Sequence, residues 1–105
     1  MGRKKHIELL EEFKKKLSKK IQIERMILFG SRANSRPKRW SDFDIIIVSK
    51  NFKGKKSRYR SKGFYDYWDL NYPVDFLCYT PEEFNRLKNK VTMVSGAVKT
   101  GIEIK

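Results

Sequence analysis

The stretch Asp42-Phe43-Asp44-Ile45-Ile46-Ile47-Val48 constrains the fold more than any other. Successive side chains of a strand point to opposite faces. A run that is apolar at every position from Ile45 to Val48 therefore reads as a strand buried on both faces. The same stretch sets a chemical problem. Asp42 and Asp44 lie two apart, so on a strand both leave the same face, at the mouth of that buried run. Carboxylates so placed are costly unless something cationic sits beside them. Two that lie close repel, and one pKa rises, unless a divalent cation neutralises them. Mg²⁺ or Mn²⁺ fits, because hard cations choose oxygen ligands and retain positions for phosphate oxygens.

The rest of the chain supplies partners for that strand. Ile7, Leu10, Phe13, Leu17 and Ile21 recur at steps of three and four, which predicts an amphipathic helix. The run from Glu24 to Gly30 reads as a short buried strand, and the polar connection after it contains Pro37, with Ser31 placed to cap a helical turn. Residues 50–62 carry seven basic side chains and no acid, around Gly54, and read as a mobile loop. Residues 63–70 suggest a short helix or turn. Tyr72 to Tyr79 forms the third strand, with Pro73 at its start. Thr80, Pro81 and Glu83 form an N-cap, a helical first position and the far half of a capping box. A last short helix stops at Gly101, and Ile102 to Lys105 reads as an edge strand. This order predicts one domain over residues 1–105, of the α+β (α/β-like) class, with a small mixed sheet flanked by helices.

Asp75 stands between Val74 and Phe76 in the third strand, where a lone acid needs a reason. If that strand lies beside the Asp42/Asp44 strand, three carboxylates meet, as at a two-metal phosphoryl or nucleotidyl transfer site. Upstream, Gly30-Ser31 ends a strand and opens a turn. Glycine lets a phosphate approach the backbone, the following N–H groups and the Ser31 hydroxyl can cradle it, and Arg32 adds a planar clamp. Each part has a bland reading as a solvated turn; the order of the parts favours a metal-borne nucleoside triphosphate.

These residues resemble the polymerase-beta-like nucleotidyltransferase superfamily. Phe29-Gly30-Ser31, then Asp42-Phe43-Asp44-Ile45, then Val74-Asp75-Phe76 follow its hallmark order, and "GSRA" with "SDFD" looks most like the minimal nucleotidyltransferases. The resemblance implies a mixed sheet with helices, Gly30 and Ser31 at the triphosphate, and Asp42, Asp44 and Asp75 as catalytic metal ligands. It also implies transfer of a nucleoside monophosphate, AMP from ATP in the first instance, to an acceptor hydroxyl. Minimal members often continue "GSRARG"; Asn34 and Ser35 depart from that, and Arg36, Lys38 and Arg39 replace the charge but not the backbone freedom. Such chains act beside a small helical protein of the HEPN type, silencing a ribonuclease as its antitoxin. The alternative from another class is a non-catalytic protein that keeps the fold and binds a partner or RNA.

Composition narrows the setting. Lys and Arg number 25 against 12 acids, a net charge of +13, which attracts phosphates or simply reflects a Lys/Glu-rich solvated surface. No run is long and apolar enough to span a bilayer, no apolar signal segment follows the basic N-terminus, and Cys78 is alone, so a soluble, cytoplasmic protein is expected. The catalytic elements use nearly all of the chain, so acceptor recognition falls to a partner, a homodimer face or the basic loop. That loop, with Tyr59 and Phe64, reads either as a nucleic-acid grip or as a solvated insertion. Trp40 reads as a packing anchor, with base stacking as the alternative. Phe64, Tyr65, Tyr67 and Trp68 fill core or form a partner patch. His6 reads as a surface residue without a role, and Cys78 as a small buried hydrophobe.

Overall fold

In the computed structural model, which describes residues 3–30, 33, 42–90 and 92–105, the apolar run becomes strand β2 (Phe43–Val48). It lies inside a four-stranded sheet ordered β3-β2-β1-β4. β1 (Arg25–Phe29) pairs antiparallel with both β2 and the short edge strand β4 (Ile102–Glu103), whereas β3 (Val74–Tyr79) runs parallel to β2. The sheet is mixed, as expected from the sequence.

Both faces of β2 are covered. Phe43, Ile45 and Ile47 pack with Met26, Leu28 and Cys78 on one face, against Leu10, Phe13 and Leu17 of helix α1 (Arg3–Leu17). Ile46 and Val48, with Ile27 and Phe29, form the other face, against Phe84, Val94 and Ala97. Those three come from α2 (Pro81–Leu87) and α3 (Met93–Thr100). Ile45, Ile46 and Ile47 are all fully buried, and each such side chain contributes about 1.5–3 kcal/mol relative to exposure.

The local signals explain the ends of these elements. Thr80 accepts from Glu83 N–H while the Glu83 carboxylate accepts from Thr80 N–H, so the capping box is complete. Gly101 ends α3 by close approach: a Cβ there would stand 2.4 Å from the Ala97 carbonyl oxygen and 2.8 Å from that of Leu28. α1 stops at Leu17, and Ile21 reaches the core from the turn beyond it.

Two expectations are corrected. His6 is not a surface residue; it is buried, edge-on to the rings of Phe43 and Tyr72. The helix begins at Arg3, a turn earlier than the Ile7 start, and this puts His6 four residues before Leu10 on the buried stripe. Within residues 50–62, Arg60 is neither solvated nor free. It is buried and donates to the carbonyls of Lys55 and Cys78 and, through two nitrogens, to the Glu83 carboxylate. Phe52, inside a 3₁₀ turn at Lys50–Phe52, anchors the same segment in the core. The stretch is thereby fastened to the body at two points. Of the aromatics at 64–68, Phe64, Tyr67 and Trp68 fill core, and Tyr65 remains largely exposed, with its hydroxyl donating to the Val74 carbonyl.

Candidate active site

The parallel register sets Asp44 directly opposite Asp75, and the antiparallel register sets Asp44 opposite Phe29. The acids thus lie where β2 and β3 begin and β1 ends. Asp44 shares its face with Ile46 and Val48, and Asp75 shares its face with Leu77 and Tyr79, so both point to the α2/α3 side of the sheet. There the helices bury the later positions and leave Asp75 exposed and Asp44 partly so. Asp42, exposed, precedes β2 by one residue.

Phe43, between the two acids, holds them to that face. It is fully buried on the opposite side among the rings of His6, Trp68 and Tyr72, and its N–H donates to the Pro73 carbonyl. Any slip by one residue would bury an aspartate and expose Phe43. The ring pocket around Phe43 is therefore part of the site's support. The sequence reading missed it, although the spacing of His6 and Leu10 carried a signal for one member.

Asp44 is the most enclosed of the three acids. Burial, then the neighbouring Asp75 and Asp42 carboxylates, push the Asp44 carboxyl above its ordinary value. Among the described residues none of these acids has a salt-bridge partner. Nor do three His, Cys, Asp or Glu side chains close around one point among the described residues. The three carboxylates are neighbours, not a finished ion cage.

Gly30 completes the described part of the site. Its φ of 76° is left-handed, and a Cβ on it would stand 2.6 Å from Oδ2 of Asp44. Its carbonyl accepts from Ala33 N–H, closing a tight turn straight after β1. Glycine is needed there twice over, for the backbone angle and for the approach to the carboxylate. Ser31 and Arg32, expected to join the phosphate cradle, lie outside the described residues, as do Asn34, Ser35, Arg36, Pro37, Lys38, Arg39 and Trp40.

A turn after a strand and aspartates at the starts of two adjoining strands match what comparison with known proteins returns. The family described as the nucleotidyltransferase domain matches residues 10–99. The chain belongs to that family. A crystal structure of a nucleotidyltransferase candidate from Sulfolobus solfataricus is similar to it, with 26% identity and a TM-score of 0.64 over 85% of this chain and 79% of that one. Comparison with curated proteins gives no match. Membership supports nucleotidyl transfer from a nucleoside triphosphate as the general activity, and the four-stranded mixed sheet with its helices agrees with the nucleotidyltransferase neighbour. No helix among the described residues is long and apolar enough to cross a membrane.

Proposed function

We infer that this nucleotidyltransferase-domain chain transfers a nucleoside monophosphate to an acceptor hydroxyl, with ATP as the donor, using Asp42, Asp44 and Asp75. One observation carries this reading. Asp44 lies beside Asp75 on the adjoining strand with Asp42 close by, so that their like charges bear on one another. A cluster of hard oxygen donors fits Mg²⁺ or Mn²⁺. Asp42, Asp44 and Asp75 would hold such an ion. Bound there, it would neutralise phosphate charge and polarise the reacting oxygens.

The chain's own residues supply the remainder. Gly30 leaves the backbone bare where the triphosphate comes closest, with Ser31 N–H and hydroxyl and the Arg32 guanidinium next in sequence to grip its oxygens. The acceptor oxygen attacks the α-phosphorus, the bond from that phosphorus to the bridging oxygen of the β-phosphate breaks, and pyrophosphate leaves. Asp75, exposed beside Asp44, accepts the acceptor's proton and passes it to water.

A second reading is a binding protein that retains the fold and neutralises a partner or RNA without turnover. It is favoured by the finding that no three His, Cys, Asp or Glu side chains among the described residues are grouped to hold an ion. The resemblance to minimal nucleotidyltransferases supports a helical HEPN-type partner, with this chain as antitoxin, or a homo-oligomer completing acceptor recognition.

Calorimetric titration of Mg·ATP into wild type and into Asp42→Asn/Asp44→Asn separates the two readings. The enzyme reading expects binding in wild type that vanishes in the double variant. At 100 times the dissociation constant the fold should gain about 2.7 kcal/mol. Heat of binding absent from both proteins, with oligomer or RNA binding intact in both, would favour the second reading.

A further inference from the structure

At the end of the sheet remote from the acids, the basic segment and the end of α1 enclose a groove of about 520 Å³. Phe52 follows the end of β2, and Leu17, Phe52 and Phe64 belong to the α1 face of the sheet, opposite the face that carries Asp44 and Asp75. The groove's floor is apolar, with half-buried Ile21 and Tyr67 beside the buried side chains of Leu17, Phe52 and Phe64. Its rim carries Lys20, Lys55 and Lys62, all exposed, against one acid, Asp66. Tyr59 also lines it, with 55% of its surface in water, and the Arg58 guanidinium lies 4.9 Å over the Tyr59 ring.

We propose that this groove binds single-stranded nucleic acid, with a base on its apolar floor and Tyr59 and with backbone phosphates on the lysine rim. An apolar floor inside a cationic rim suits a ligand that is flat and apolar in one part and anionic in the next. A base with its phosphate has that form at every nucleotide; an acidic peptide segment has it only where an aromatic stands among the acids, and a duplex hides it. The wall is built beforehand. Arg60, buried beneath the rim, ties the Lys55 carbonyl to β3 and α2 through Cys78 and Glu83, so ordering the loop is no part of binding. The excess of 25 Lys and Arg over 12 acids draws the strand in, and the groove decides where it rests.

The test is fluorescence anisotropy with a 5′-labelled oligouridylate of about 12 nucleotides, within the span such grooves cover. EDTA is present and nucleoside triphosphate absent, so the outcome is independent of the metal and donor reading. Wild type should bind with affinity that falls steeply as salt rises. Tyr59→Ser and Lys20→Gln/Lys55→Gln/Lys62→Gln should each weaken binding by about tenfold or more. Lys88→Gln/Lys90→Gln/Lys99→Gln, which removes equal charge beside α2 and α3, should weaken it much less. Circular dichroism melts establish that each variant is folded. Equal losses in the two triple variants, an unchanged Tyr59→Ser, or no binding by wild type at low salt would overturn the proposal. So would a duplex that binds as tightly as the single strand, or polyglutamate that competes as well as the oligonucleotide.

Discussion

Gly30 and Asp44 are in such close approach that the space of one methyl group is all that separates glycine from collision with the Asp44 carboxylate, 2.6 Å from where a Cβ would stand. Gly30→Ala therefore meets two penalties. The left-handed backbone costs about 1–2 kcal/mol for an alanine, before any contact of its methyl is counted. The carboxylate relieves the clash by swinging away, which moves it from its place opposite Asp75. Urea unfolding should show that loss of stability, and Mg·ATP titration should show a loss of binding larger than the stability change accounts for.

Asp44→Asn separates folding from function at one atom. Burial and two neighbouring carboxylates push the Asp44 carboxyl up, so its ionised form opposes folding once pH exceeds the ordinary carboxylate range. Removing the charge should leave the melting temperature in EDTA at or above that of wild type at pH 7. The same variant should lose stabilisation by Mg·ATP. A lower melting temperature in EDTA would mean that the carboxylate is held by an attraction instead.

The Arg60–Glu83 pair should govern acid stability. Hydrogen bonding from Arg60 holds the Glu83 carboxyl below its ordinary value, and Arg25 does the same for Glu103. A depressed folded pKa stabilises the fold above the unfolded carboxylate value, near 4.3 for a typical glutamate, and that gain is lost as pH falls through the folded value. Arg60→Ala should cost about 2–4 kcal/mol at pH 7, since it removes a buried side chain that bonds two carbonyls and leaves Glu83 with only its Thr80 N–H partner. Glu83→Gln should cost less, and its deficit against wild type should shrink between pH 6 and pH 3, on the order of the carboxylate range. Denaturant midpoints at both pH values check this.

Cys78 should be inert in the folded protein. Burial pushes its thiol up to about 12, with Arg60 pulling weakly the other way. At pH 8 a disulfide reagent should label it at least about 100-fold more slowly than in 6 M guanidinium, because the thiolate reacts and the thiol does not. Fast labelling without denaturant would place the thiol at the surface.

Much of this was legible because its signals are local. The four-residue apolar run in β2 demanded cover on both faces and found it in α1 on one side and α2 with α3 on the other. Thr80, Pro81 and Glu83 announced a helix start by spacing alone. The pairing of Asp44 with Asp75 was conditional on the strands lying side by side, and they do. What escaped has partners far along the chain. Arg60 looked like its six basic neighbours, and nothing near it in sequence points to Glu83, 23 residues on. His6 was missed through a boundary: a helix started at Ile7 leaves it outside the periodic stripe, and one started at Arg3 buries it. The distance between the acids was not legible at all, since spacing fixes their face and not how far solvated carboxylates splay.

The parallel pairing of β2 and β3 makes residues 49–73 a return journey. The chain leaves β2 at the far end and must come back the full length of the sheet before β3 can start. Parallel neighbours need a connection of about a dozen residues or more. A deletion that left only a tight turn would reverse β3 into a hairpin and carry Asp75 to the opposite end from Asp44. The basic segment, whatever it binds, is thus also a spacer whose minimum length keeps two acids at one end of the molecule, and shortening it would disconnect them without touching either.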